Sequence, residues 1–84
     1  MPHTYIIYSK TIDRFYVGST ADELTERIRK HNSKHKGFTA RANDWILVYQ
    51  EDYPSVHLAR QREREIKAWK SRRRIEELCR FSKF

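Results

Sequence analysis

The stretch TYIIYSKTIDRFYVGST, residues 4–20, decides how the chain is read. Two runs rich in aromatic and β-branched residues, TYIIYSK and RFYVGST, flank the short segment TID, and such residues suit a half-buried pleated surface. A β-hairpin is expected, with a turn that lacks the customary Gly or Asn. Three tyrosines fall within it. Strand alternation puts Tyr8 on the face opposite Tyr5, so Tyr8 is expected in the core. Whether the other two phenols are cross-strand filler or aimed at chemistry depends on what the rest of the chain supplies. Gly18, with no glycine-rich run around it, is expected to permit a close backbone approach or a bend at the strand end.

Outward from the hairpin, STADELTERIRKHNSKHKG reads as a short amphipathic helix. Thr20 or Asp22 can cap it, Leu24 and Ile28 stand one turn apart, and Asn32 to Gly37 carries helix-stopping chemistry. GFTARAND is expected as a loop and WILVYQED as a third strand. Pro54 and Ser55 mark the start of a helix read over Val56 to Lys70, and Ser71 can cap a last helix to about Arg80 with Ile75, Leu78 and Cys79 on its apolar stripe. Lys83 and Phe84 are expected to fray. The order is β-β-α-β-α-α, an α+β class, with no repeat or linker in the 84 residues, which are read as one domain over 1–84.

Composition narrows the partners. The formal net charge is +7, and between Arg60 and Arg74 eight bases face only Glu63 and Glu65, a surplus of six. That stretch suits a polyanion, though a solvated helix face that keeps the protein soluble would look the same. No apolar run approaches the roughly 18 to 20 residues that span a bilayer, and the N-terminus lacks the layout of a secretory signal. A cytoplasmic protein without a membrane partner is expected, and the lone Cys79 agrees with a reducing compartment and is read as packing.

Two helices carry polar groups where a plain fold would place apolar ones. At about 100° per residue, Ala59, Glu63, Ile66 and Lys70 share one stripe of the long helix, so Glu63 faces inward while Glu65 lies roughly 160° away. A carboxylate on an inward stripe is costly unless it is paired with a base or holds a cation. On the short helix Arg27 and His31, four apart, border the Leu24/Ile28 stripe. Arg offers a planar fork of donors for phosphate oxygens, and His passes protons near neutral pH. With Glu63 and the hairpin phenols they compose the parts of a phosphodiester site: a proton acceptor, a cation for the phosphate and a carboxylate for a metal. His31 and His35 have zinc-like spacing without the paired cysteines that usually accompany it, and a zinc site is not expected.

In these residues the chain resembles the GIY-YIG endonuclease superfamily, in its small single-domain bacterial branch related to the nuclease module of the UvrC repair protein. Tyr16-Val17-Gly18 is similar to the second signature; at the first, His3-Thr4-Tyr5 keeps only the tyrosine. Arg27 and His31 match the R-x-x-x-H helix, Phe38-Thr39 a threonine-containing loop, Trp45 to Tyr49 the third strand, and Arg62-Glu63-x-x-Ile66-Lys67 the R-E-x-x-I-K of the metal-binding helix. The resemblance implies a small three-stranded antiparallel sheet flanked by helices, with the site on the sheet face under Arg27 and Glu63.

It also implies metal-dependent hydrolysis of nucleic acid, more readily DNA, of a repair or recombination type. Glu63 would hold one Mg²⁺ or Mn²⁺, Arg27 would stabilise phosphate charge, and Tyr5, or Tyr16 acting with it, would accept the proton of the attacking water, with His31 sharing it or positioning the others. Arg60, Arg64, Lys67, Lys70, Arg72, Arg73 and Arg74 are expected to track the phosphate backbone without reading bases. The competing expectations are a non-catalytic nucleic-acid-binding module and a subunit whose activity or targeting needs a protein partner.

Overall fold

The computed structural model describes residues 1–80; Lys83 and Phe84, expected to fray, lie outside the described residues. Strands β1 (His3–Ser9), β2 (Arg14–Thr20) and β3 (Ile46–Asp52) form one antiparallel sheet in the order β2-β1-β3. Helix α1 (Leu24–His31) and a turn of 3₁₀ helix at Phe38–Arg41 fall between β2 and β3, and α2 (Val56–Ala68) and α3 (Arg72–Arg80) follow. The expected order and class are both present. No helix among the described residues is long and apolar enough to cross a membrane.

Because β1 is central and covered on both sides, Thr4, Tyr5, Ile6 and Ile7 are all 0 % exposed, and strand alternation is erased from its burial pattern. One face carries Tyr5, Ile7 and Trp45 under Leu24 and Ile28 of α1. The other carries Ile6 and Val17 under Ile66, Trp69, Ile75, Leu78 and Cys79 of the last two helices. Ala59 and Ile66 are fully buried, as the inward stripe requires, whereas Lys70 is exposed: the helix stops at Ala68 and Lys70 turns into the left-handed region, φ 50°. The Ser55 hydroxyl accepts from the Leu58 N–H and Ser71 from that of Arg74, so both expected caps are in place.

Three expectations are corrected. Tyr8 does lie opposite Tyr5, but it is half-buried rather than core: its ring packs on Phe15 at 4.8 Å and its hydroxyl donates to Asp13, because β1 ends there and α3 covers only part of the face. Neither Thr20 nor Asp22 caps α1; Glu23 occupies that position, and the Thr20 hydroxyl instead accepts from the Asp22 N–H, closing a local turn ahead of the helix. Trp45 precedes the third strand. Its N–H and carbonyl pair with the Asn32 side-chain amide at 2.7 and 3.0 Å, and its indole N–H donates to the Thr39 carbonyl.

The hairpin turn manages without Gly because Asp13 takes the left-handed conformation, φ 52°, which aspartate tolerates. Asp44 braces the turn from outside, accepting from the Ser9 hydroxyl and from both the N–H and hydroxyl of Thr11. Gly18 pairs with Tyr5, and a Cβ there would lie 2.5 Å from the Tyr5 hydroxyl oxygen and 2.6 Å from its Cζ. The close approach is real, and Tyr5, walled in on all sides, cannot retreat. Gly18→Ala is expected to cost about 1–3 kcal/mol, a fall of several degrees or more in melting temperature. A thermal melt unchanged by the substitution would contradict this packing.

Candidate active site

Register brings the two phenols together. Tyr5 faces Gly18 and Ile7 faces Tyr16 across the β1–β2 pair, so both tyrosine rings lie on the α1 side of the sheet and flank Gly18, whose missing side chain leaves the space between them. Four-residue spacing on α1 then aims Arg27 and His31 at the same point. Arg27 Nε donates to the Tyr5 hydroxyl at 3.3 Å, and His31 Nε2 lies 2.7 Å from the same oxygen. The Tyr16 ring meets His31 edge-on at 5.3 Å and stacks on Phe38 at 6.1 Å.

The hydrogen-bond directions follow from the donors available. His35 Nδ1 lies 2.6 Å from the Ser33 carbonyl, which only accepts, so that nitrogen carries a proton. With both imidazoles neutral, His35 Nε2 accepts from the Thr39 hydroxyl at 2.6 Å, and Thr39 in turn accepts from His31 Nδ1 at 2.9 Å. His31 Nε2 is left as an acceptor, and the Tyr5 hydroxyl must donate to it. Tyr5 is thereby oriented with its remaining lone pairs toward Arg27. The chain of bonds runs from Arg27 through Tyr5, His31 and Thr39 to His35.

Burial sets the electrostatics. Desolvation raises the Tyr5 hydroxyl above its ordinary value, partly offset by the Arg27 guanidinium. His31 is held down to about 4, first by burial, then by the Arg27 guanidinium and, when that imidazole too takes a proton, by His35. In an unfolded chain the imidazole titrates near 6.5, so between those values the unfolded state binds more protons. The stability gained from a neutral His31 is complete above about pH 6.5 and is lost as pH falls through about 4. The melting temperature is expected to decline across that window, and to decline less in His31→Gln; melts of both proteins from pH 7 to pH 4 test this.

Tyr5 is 0 % exposed, whereas Tyr16 is half-buried and lines an open cleft of about 380 Å³ together with Arg27, His31 and Thr39. Glu63 arrives from the other side of the sheet. Its carboxylate accepts from the Ser19 hydroxyl at 2.5 Å and pairs with Lys67 Nζ at 2.6 Å, while that ammonium also lies 5.3 Å over the Tyr16 ring. Ser19 follows Gly18 and so points to the α2 face; the candidate site therefore wraps the open edge of β2 rather than resting on one sheet face. Lys67 bridges its two halves.

A family described as the GIY-YIG catalytic domain matches the chain over residues 1–76. The chain belongs to the GIY-YIG family. Membership makes it a nuclease domain that acts on nucleic acid, in a family that generally uses a divalent metal. No curated protein and no solved structure matches it. Glu63 fits such an ion on its own chemistry: a single, partly accessible carboxylate, 20 % exposed and already in contact with a cation at one oxygen, suits a hard ion that takes one carboxylate and several waters. His31 and His35 instead direct their nitrogens at Tyr5, Thr39 and Ser33.

The remaining cations expected in GIY-YIG substrate binding divide into two groups. Arg72 is bonded to Asp13 and paired with Glu76, Arg73 is paired with Glu77, and Arg74 lies 4.2 Å over the Trp69 ring. Arg60, Arg64 and Lys70 are exposed, and their side chains carry no ion pair among the described residues. Charge patterning missed Ser19 and His35. A serine after glycine has no signal of its own, and the His35 contact depends on a loop closing onto Thr39.

Proposed function

We propose that this GIY-YIG domain is an endonuclease that hydrolyses phosphodiester bonds of DNA, in repair or recombination, using one Mg²⁺ or Mn²⁺ held by Glu63. The observation that carries the reading is that Tyr16 and Arg27 line one open cleft while Lys67, lying over the Tyr16 ring, is ion-paired to Glu63. Tyr16, the phenol that reaches solvent, accepts the proton of the attacking water. Tyr5, fully buried, holds Arg27 and His31 in position. Arg27 commits Nε to Tyr5, and its two terminal nitrogens, with no hydrogen-bond partner among the described residues, face the non-bridging phosphate oxygens.

Lys67 Nζ lies 5.3 Å over the Tyr16 ring and Arg27 lines the same cleft as Tyr16, so two cations border the place where phosphate charge would sit. Glu63 would hold the hard divalent ion, which would supply Lewis-acid stabilisation of charge on the phosphate and on the 3′ oxygen. The test is incubation of the purified protein with branched, flapped, single-stranded and duplex DNA, and with RNA, in Mg²⁺, Mn²⁺ or chelator. Cleavage of DNA that needs the metal and leaves 5′-phosphate ends is expected. Binding without cleavage under every condition would favour the non-catalytic module.

A further inference from the structure

Of the seven cations expected to follow the substrate backbone on and around α2 and α3, Lys67, Arg72 and Arg73 are each tied to an acid, while Arg60, Arg64, Lys70 and Arg74 have no ion pair among the described residues. A second set of cations borders the active site from the other side. The segment Lys30 to Arg41 holds four Lys or Arg residues and no acid. In the fold it walls two clefts, of about 380 and about 400 Å³, which share Ser33 and His35 and so lie side by side, the first lined by Tyr16 and Arg27 and the second not.

Lys30 and Lys36 line the nearer cleft, Lys34 and Arg41 the farther one, and no Asp or Glu among the described residues lines either. Lys34 and Lys36 have no ion pair among the described residues, and Lys30 has only a 3.9 Å contact to Asp22. The groove is also anchored. The Thr39 hydroxyl between the two imidazoles and the Trp45 indole on the Thr39 carbonyl tie this segment to the sheet beside the clefts.

We infer that this groove, from Lys30 through Lys34 and Lys36 to Arg41, holds the phosphate backbone of the substrate strand on one side of the scissile bond. The inference rests on the nuclease reading and adds the path of the strand. Unpaired ammonium groups displace counterions from a polyanion, whereas arginines already neutralised by Asp13, Glu76 and Glu77 displace fewer. Affinity should therefore depend on salt through the groove, beside the unpaired Arg60, Arg64, Lys70 and Arg74, and less through Arg72 and Arg73.

The experiment is the slope of log affinity against log salt, by fluorescence anisotropy, for labelled single-stranded DNA, duplex DNA and RNA of one length. The double variant Lys34→Ala/Lys36→Ala is compared with Arg73→Ala and the parent. Both lysines are exposed and neither makes a hydrogen bond, so the variant is expected to fold, which circular dichroism verifies. The groove variant should reduce the slope by about 1.4 on single strands and about 1.8 on duplex, at roughly 0.7 and 0.9 per phosphate contact. Arg73→Ala should leave it nearly unchanged. The polymer that loses the most phosphate contacts, its slope change divided by its own per-contact value, is the one the groove holds.

A parent slope retained in the double variant overturns the groove while leaving the nuclease reading intact. A parent that binds none of the three polymers overturns both. Loss of the slope in Arg73→Ala alone would return the backbone track to α3.

Discussion

Glu63→Ala is expected to lower the single-turnover cleavage rate by about 10²–10³-fold or more, the several kcal/mol that a metal's charge stabilisation contributes to such a transition state. Binding should survive. Removing the carboxylate leaves the Lys67 ammonium, which it now pairs at 2.6 Å, free beside Tyr16, and the site becomes more attractive to a polyanion. Nucleic-acid affinity is expected to hold or improve as cleavage collapses.

The fold should be little affected, because Glu63 is only half-buried and its contacts are one hydroxyl and one exposed lysine, a loss of about 1 kcal/mol. Glu63→Gln should behave alike: it keeps an acceptor for Ser19 but lacks the charge a hard cation requires. Rates measured at saturating Mn²⁺, alongside Mn²⁺ binding, decide the matter. A variant that cuts within threefold of the parent would remove Glu63 from the reaction.

Arg27→Ala is expected to lower kcat by about 10²–10³-fold with little change in KM, the usual cost of deleting one donor aimed at charge that develops in the transition state. The side chain is held from behind, with Nε on the buried Tyr5 hydroxyl, so its terminal nitrogens are presented without further reorganisation. Arg27→Lys should recover little. An ammonium keeps the charge but lacks the planar fork that bonds Tyr5 through one nitrogen and offers two others to a phosphate.

Tyr5 retains His31 as a partner in either variant, so no buried hydroxyl is orphaned and stability should fall by only about 1 kcal/mol. Steady-state kinetics with a fluorescent oligonucleotide separate the two constants. A loss confined to KM would make Arg27 a docking residue.

Much of the site could be read along the chain because its spacing is local. Arg27 and His31 sit four apart on one helix, and the stripe through Ala59 and Ile66 selects Glu63 over Glu65; a helix turns through the same angle whatever surrounds it. The Glu63–Lys67 pair is of the same kind, an i,i+4 contact on one face. Tyr8 shows the complementary case: alternation says which face a side chain takes, and burial depends on what packs there in the fold. Lys70 likewise leaves the stripe because the helix ends at Ala68.

By itself the sequence determined the order of the elements, the inward faces of its helices and the presence of a cation surplus, all consequences of backbone periodicity and composition. The tertiary structure decided which phenol is sealed and which meets solvent. That outcome rests on a register pairing Tyr5 with Gly18. It also decided which cations are engaged, since Arg72 meets Asp13 across 59 residues of chain while Lys34 and Lys36 meet no acid. Coulombic attraction depends on distance through space, and a linear pattern carries that distance only within a turn or two of helix.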